Sequence, residues 1–195
     1  MKRLFILFTL SLLSFLVFSC GSSAEDPQPI AEGFVRFKVD GVQKEFKTNP
    51  VSPMSFSFDS NGPVYNAILL VLGPGSTGTS NFIQINVLNE SPFVTNVEYQ
   101  MQEAVAYQGV ALARINFTYA DDQGQVFNAV LLKQTLPNLV VKNDAAVKFT
   151  KISEDWIEGN FTAILIGPIT SSGVGNQERV ISEGQFRMKL LDLTP

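Results

Sequence analysis

Alternation of apolar and polar residues with a period of two is the sequence feature that most constrains the fold of this chain. Near the start of this pattern, Val35, Phe37 and Val39 occupy every second position, and the alternation resumes after Asp40-Gly41. Successive side chains of a β-strand point to opposite faces, so the pattern indicates half-buried strands. An Asp-Gly pair tolerates the positive φ angles of a tight two-residue turn, which predicts a β-hairpin here.

The same alternation recurs along the chain, separated by clusters of Gly, Pro, Asn, Asp and Ser that are typical of turns. The stretch 98–107 has helix propensity, but the alternation beside it favours a strand. The predicted strands are 33–39, 42–47, 54–58, 65–72, 82–88, 96–102, 110–119, 126–132, 146–152, 157–166 and 179–191, the last interrupted near Glu183-Gly184. The predicted turns are 60–63, 73–80, 121–124 and 170–176.

Many short strands punctuated by glycine and proline predict an all-β fold. We expect an antiparallel β-sandwich, with a partly open β-barrel as the alternative. The chain has 16 Phe beside 4 Tyr and 1 Trp, and most of the Phe residues lie at alternating strand positions, as expected for a core. The expected organisation is a signal peptide over 1–19, a lipidated flexible tether over 20–32 and one all-β domain over 33–195.

The first twenty residues have the pattern of a processed leader. Lys2 and Arg3 are followed by an apolar run over 4–18, shorter than the roughly 20 residues that a membrane-spanning helix needs. The small residue Ser19 then precedes Cys20, the only cysteine of the chain. This resembles the lipobox of a bacterial lipoprotein signal, in which the cysteine is lipid-modified and becomes the mature N-terminus. The alternative is an ordinary secretory signal cleaved elsewhere, with Cys20 incidental.

The residues after Cys20 are polar and proline-punctuated, which predicts a flexible tether. The acidic pair Glu25-Asp26 resembles the export tags of surface lipoproteins in the Bacteroidetes group, although a solvated linker explains it equally well. Gly21 directly after the cysteine resembles outer-membrane sorting by analogy with enterobacterial lipoproteins. We therefore expect a lipid-anchored protein of the outer membrane, on either its periplasmic or its cell-surface side.

The charge balance limits the possible partners. The net charge is −4, and cleavage of the leader would remove Lys2 and Arg3 and make it more negative. Such a surface repels phosphate backbones, so we expect no nucleic-acid partner. Membrane association is left to the acyl chains, which give stable anchoring when two or more are present. The expected further partner is an envelope protein or a glycan.

Missing residue types restrict the catalytic chemistry. The chain has no histidine, and its one cysteine is assigned to the anchor, so histidine-dependent triads and zinc sites are excluded. We predict no catalytic residue, no metal site and no cofactor. The glycine-rich stretch 73–80 lacks the lysine and the following helix of a phosphate loop, which favours a hairpin loop. Paired carboxylates remain chemically possible, but turn positions explain most of the candidates, which are Asp121, Asp122, Glu154, Asp155, Glu158 and Glu183.

Aromatic residues with a polar end are the remaining candidates for a ligand site. Trp and Tyr rings stack on sugars while their polar ends stay solvated. Five residues of this kind are predicted as possible ligand platforms: Trp156, Tyr65, Tyr99, Tyr107 and Tyr119.

Motifs occur at both ends of the mature region: a hairpin at 37–41, an Ile-x-Gly-x-Phe strand at 157–161 and an Ile-x-x-Gly-x-Phe strand at 181–186. This combination resembles a family of small Bacteroidetes outer-membrane lipoproteins of unknown function. The resemblance implies an all-β domain and an envelope location, and no catalytic residue. Gly159 and Gly184 each precede a phenylalanine by two residues, which suits bulges or close backbone crossings beside core rings.

Together these observations predict a lipid-anchored, non-enzymatic β-sandwich of the cell envelope that acts as an interaction or ligand-binding module. One alternative is a structural or accessory subunit of an envelope complex. Another is a carboxylate-based hydrolase acting on glycans.

Overall fold

The computed structural model describes residues 33–48 and 52–195, which contain thirteen β-strands and one short 3-10 helix, Lys133–Thr135. The predicted all-β class is confirmed. Within these ranges no helix has the length and hydropathy needed to cross a membrane. The expected signal peptide, Cys20 and the tether lie outside the described residues. The strands are β1 (Gly33–Val39), β2 (Val42–Thr48), β3 (Met54–Asp59), β4 (Val64–Leu72), β5 (Phe82–Asn89), β6 (Glu98–Gln100), β7 (Val105–Tyr107), β8 (Val110–Leu112), β9 (Ile115–Ala120), β10 (Val126–Ala129), β11 (Asp144–Ile152), β12 (Trp156–Thr170) and β13 (Gly173–Leu193).

Eleven strands form one sheet that folds into two layers. Layer A has the order β2-β1-β13-β12-β11-β6, and layer B has the order β3-β4-β5-β9-β10. The layers are joined where β13 pairs with β3 and where β12 pairs with β10. Strands β7 and β8 form a separate two-stranded sheet. The sandwich prediction is confirmed. The two junctions also join the layers at their edges, a feature shared with the partly open barrel that was the alternative prediction.

Aromatic rings connect the two layers across the core. Phe37 of layer A packs edge-on against Tyr119 of layer B with the ring centroids 5.9 Å apart. Phe117 and Phe161 pack across the same gap at 5.7 Å. Alternate residues of every long strand are buried in one continuous cluster, because each strand turns one face inward. The predicted phenylalanine-rich core is therefore present.

One strand pair departs from the antiparallel expectation. Strand β3 runs parallel to the end of β13, with Met54 opposite Leu190 and Ser57 opposite Leu193. The end of β13 extends beyond its pairing with β1, which stops at Arg187, and takes β3 as its next neighbour. Two parallel strands must be joined by a long connection, and here the chain between β3 and β13, which contains β4 to β12, forms that connection.

Two local predictions are confirmed in detail. Asp40 and Gly41 both have positive φ, 50° and 84°, and connect β1 to β2 as a two-residue turn. Strand β13 carries a bulge at the predicted interruption: Glu183 has φ 52°, and the register with both neighbouring strands shifts beside it. A bulge adds one residue to a strand and bends it locally.

Three predicted strands were longer than the strands in the structure. The expected strand 110–119 is two strands, since β8 pairs with β7 while β9 joins layer B. The expected strand 126–132 ends at Ala129, so Leu131 lies in a loop. Of the predicted strand 96–102, only the central residues, Glu98–Gln100, form a strand, which is β6. No helix forms over 98–107, as the alternation favoured.

Candidate functional site

Two of the five aromatic candidates lie in the core. Tyr99 is 4% exposed, and its hydroxyl accepts a hydrogen bond from the backbone N–H of Val94 at 3.0 Å. Tyr119 is 2% exposed. Burial raises the pKa of Tyr119 to about 12, with the nearby charges of Asp122 and Asp121 adding to the effect. In this structure neither ring offers an open face to a ligand.

Tyr65 and Tyr107 lie at one corner of layer B, where β3 ends. The half-buried ring of Tyr65 packs against Phe58 with the centroids 4.8 Å apart. The hydroxyl of Tyr107 donates a hydrogen bond to Oδ2 of Asp59 at 2.8 Å. This bond lowers the pKa of Asp59 and raises the pKa of Tyr107, because it stabilises the carboxylate and the protonated phenol. The bond thus fixes the β7–β8 hairpin to the end of β3.

Trp156 lies apart from the tyrosines, at the start of β12 on the outer face of layer A. Its ring is contacted by two cations, with Arg187 Cζ 4.6 Å and Lys189 Nζ 4.5 Å from the ring centroid. The same cations lie 3.7 Å from Glu158 and 4.0 Å from Asp155. Cation–π contacts at exposed sites contribute about 0.5–1 kcal/mol each. A sugar stacking on this ring would compete with these cations.

The candidate carboxylates take part in turns and ion pairs. Oδ1 of Asp121 accepts hydrogen bonds from the backbone N–H groups of Gln123 and Gln125, at 2.9 and 2.8 Å, which confirms the predicted turn. In the described residues no group of three or more acidic side chains is placed to hold a metal ion. Other candidates are ion-paired: Asp122 with Lys44, Glu183 with Lys38, Glu158 with Lys151 and Arg187, and Asp155 with Lys189.

The glycine-rich stretch 73–80 is a hairpin loop between β4 and β5, as predicted. Its polar groups bond within the loop: Ser76 Oγ donates to Ser80 O at 2.6 Å, and Asn81 Nδ2 donates to Pro74 O at 2.7 Å. The loop therefore has the internal bonding of a structural turn.

A shallow groove of about 410 Å³ crosses β6, β11, β12 and β13 on the outer face of layer A. Glu98, Gln100, Asp144, Thr162 and Ser182 supply its polar lining. These residues sit at the solvent-facing positions of strands that are distant in sequence, so no local motif marks the groove. Both of its carboxylates are engaged, since Gln100 donates to Glu98 at 3.2 Å and Asp144 pairs with Lys133 at 3.6 Å.

A second surface is apolar and lies in the loop after β10. Leu139 is 65% exposed, Val140 is 91% exposed and Leu131 is 46% exposed. They line a depression of about 350 Å³ together with Val141 and Ile166. We name this surface, formed by Leu131, Leu139, Val140, Val141 and Ile166, the apolar end. No sequence prediction identified it as a site, because Leu139, Val140 and Val141 lie in a segment without alternation and come together with residues of β12 only in the fold.

A buried amide holds the base of this loop. Asn143 is 1% exposed, and its Nδ2 donates to the carbonyl of Leu131 at 3.0 Å. Nε2 of Gln102 donates to the carbonyls of Leu131 and Asn143, at 3.3 and 3.2 Å, while its Oε1 accepts from the backbone N–H of Lys133 at 2.9 Å. The Asn143 amide is buried and the Gln102 bonds are partly exposed, and together they hold the two ends of the loop at Leu131 and Asn143. The apolar side chains are therefore displayed from an anchored loop.

Two ion pairs involve residues in or next to the loop that carries the apolar end. Lys142 pairs with Glu178 at 2.6 Å, and Lys133 pairs with Asp144 at 3.6 Å. An apolar centre inside a polar, solvent-accessible rim is the usual composition of a protein–protein interface.

Comparisons of the chain with protein-family models, with curated proteins and with solved structures found no match.

Proposed function

We propose that this protein is a non-enzymatic, lipid-anchored module of the outer membrane that binds an envelope protein through its apolar end. The exposure of Leu139 and Val140 on an anchored loop is the observation that carries this proposal. The leader ending at Cys20 supports the anchor, and the resemblance to small Bacteroidetes lipoproteins supports the location.

Exposed apolar side chains favour a partner because water contact with them is costly. Burial of apolar surface contributes about 25 cal/mol per Å². Asn143 and Gln102 hold the base of the loop, and Leu139 and Val140 are exposed in this conformation. A contiguous apolar surface with a charged rim marks an interaction site. A partner protein that covers Leu139 and Val140 would remove them from water.

The proposal is tested by photo-crosslinking in living cells. A benzophenone amino acid is placed at Val140 and, as the matched control, at Val42, which is 63% exposed on the β1–β2 hairpin of layer A. We expect one discrete crosslinked species from position 140 and none from position 42. A Leu139→Asp substitution in the same chain should abolish the species, because a carboxylate in the interface centre loses its hydration without a partner.

Two results would contradict the proposal. The first is the absence of any crosslinked species at position 140. The second is the same set of species at both positions, since that would show contact by chance and not recognition.

A further inference from the structure

Charge is divided unequally between the two layers. Asp59 is the only charged residue in the five strands of layer B, and it lies at the end of β3. The strands of layer A contain many charged residues, among them Arg36, Lys38, Lys148 and Arg187. Strands β4, β5, β9 and β10 of layer B therefore carry no charged residue.

Amide and hydroxyl side chains occupy the centre of the outer face of these strands. The pairing register aligns Leu70, Gln84, Thr118 and Asn128 in one row across β4, β5, β9 and β10. A second row aligns Asn86 with Asn116. The inward positions of the same strands hold the buried core, so these residues face outward. We name the set the amide face: Leu70, Gln84, Asn86, Asn116, Thr118 and Asn128.

The hydrogen-bonding capacity of the amide face is unused. Among the described residues, the side chains of Gln84, Asn86, Asn116 and Asn128 have no hydrogen-bond partner. Oδ1 of Asn86 is shielded from solvent and still unpaired. Some surface amides elsewhere are bonded, such as Gln185 to Arg36 and Gln100 to Glu98, whereas others, such as Asn160 and Asn176, have no side-chain hydrogen bond among the described residues. Gln84 is exposed and can bond water, whereas a shielded and unpaired atom such as Oδ1 of Asn86 is uncommon in folded proteins.

The β7–β8 hairpin borders the amide face on one side. Leu88 of β5 and Val64 of β4 pack with Val105 of the hairpin in a small apolar cluster separate from the main core. Tyr107 of the hairpin bonds Asp59. The hairpin therefore rises beside the amide face and limits how far a ligand on that face can extend in this direction.

We propose that the amide face binds a neutral polysaccharide lying across β5, β9 and β10. Sugar hydroxyls both donate and accept hydrogen bonds, and each amide offers both functions. Neighbouring strands are about 4.8 Å apart, so Gln84, Thr118 and Asn128 form a row of regularly spaced polar groups. Leu70, which is 47% exposed, offers an apolar contact to the C–H face of a sugar ring. A charged ligand would find no counter-charge there.

This site shares no residue with the apolar end or with Trp156, and it adjoins the apolar end where Asn128 pairs with Ile166. The polysaccharide proposal goes beyond the proposed function, because it assigns a ligand class to a surface other than the apolar end. Leu139→Asp should leave polysaccharide binding unchanged, so failure of one proposal is distinguishable from failure of the other.

Affinity electrophoresis tests the proposal on the full chain purified in detergent. The protein is run through native gels containing a neutral β-glucan, xylan or mannan, with polygalacturonate as the acidic comparison. We expect retardation by at least one neutral polymer and none by the acidic one. The apparent Kd should be unchanged between about 0.05 M and 0.5 M NaCl, because no charged group takes part.

Paired variants locate the site. We expect Gln84→Ala/Asn128→Ala to raise the apparent Kd at least about tenfold, which corresponds to about 1.4 kcal/mol. The matched control, Gln100→Ala/Thr162→Ala in the groove of layer A, should leave it unchanged. Gln84→Glu, at an exposed position, should weaken binding as well and guards against misfolding of the double variant.

Several results would overturn the proposal. One is the failure of all the neutral polymers to retard the chain. Another is loss of binding in Trp156→Ala with retention in the amide-face variants, which would assign the site to Trp156. A third is a dimer by sedimentation that Gln84→Glu dissociates, which would assign the face to a second copy of the chain.

Discussion

The ring of Phe186 lies over Gly159 and occupies the space where a side chain at position 159 would begin. The two residues are directly opposite each other on β13 and β12. The arrangement is reciprocal, since Phe161 covers Gly184 on the same pair of strands. The two rings lie 6.4 Å apart at an interplanar angle of 25°. Glycine at both positions thus lets two core rings lie flat against the neighbouring backbone.

We predict that Gly159→Ala lowers the free energy of unfolding by about 1–3 kcal/mol, the usual cost of overfilling a packed core. A new Cβ would meet both the Phe186 ring and the backbone carbonyl of Lys148, so movement of the ring alone cannot relieve it. Urea denaturation measures the change. Asn160→Ala, at the adjacent exposed position, is the control and should change stability little. Equal stability of Gly159→Ala and the wild type would contradict the packing described.

Asn143→Ala is predicted to destabilise the protein by about 1–3 kcal/mol, because it removes a buried hydrogen bond and leaves a small cavity. Hydrogen exchange should become faster over residues 130–142, since Asn143 holds the carbonyl of Leu131. Asn176→Ala, at an exposed position of β13, is the comparison and should leave exchange there unchanged. Unaltered exchange in Asn143→Ala would show that the loop does not depend on this amide.

The Tyr107–Asp59 hydrogen bond predicts a pH window of stabilisation. The folded-state pKa of Asp59 is lowered from 3.8, so its contribution is present above that value and is lost as the pH falls through the lowered pKa. The pKa of Tyr107 is raised from 10.0, so its contribution is present below that value and is lost as the pH rises through the raised pKa.

The variant Tyr107→Phe should therefore differ most from the wild type between about pH 5 and pH 9, with the wild type more stable. The difference should shrink at both extremes, as measured by denaturation across a pH series. Tyr65→Phe serves as the control, because the Tyr65 hydroxyl has no hydrogen bond among the described residues. A difference that is independent of pH would assign the effect of Tyr107 to packing alone.

Local backbone requirements made part of the fold predictable. The turn at Asp40-Gly41 and the bulge at Glu183-Gly184 both depend on positive φ angles or close packing that few residues accept. Pairing between distant strands was not predictable in the same way. The alternation in β3 is the same whichever strand lies beside it, so the parallel pairing of Met54 with Leu190 leaves no local trace.

Residue type alone was a limited guide to the candidate sites. It predicts Tyr119 and Trp156 as equivalent ligand platforms, but one fills the core and the other lies at the surface between two cations. The base of the loop that carries Leu139 is held by hydrogen bonds from Gln102, a residue distant in sequence. The absence of charged residues from β4, β5, β9 and β10 becomes visible only after each strand is assigned to a layer.

Metabolic labelling with a radioactive fatty acid tests the lipid anchor most directly. We predict that the wild-type chain incorporates label and sediments with membranes. The Cys20→Ala variant should take up no label and should be released from the membrane fraction, because no other cysteine can replace the acceptor. Labelling of Cys20→Ala equal to that of the wild type, or its full retention in membranes, would contradict the account.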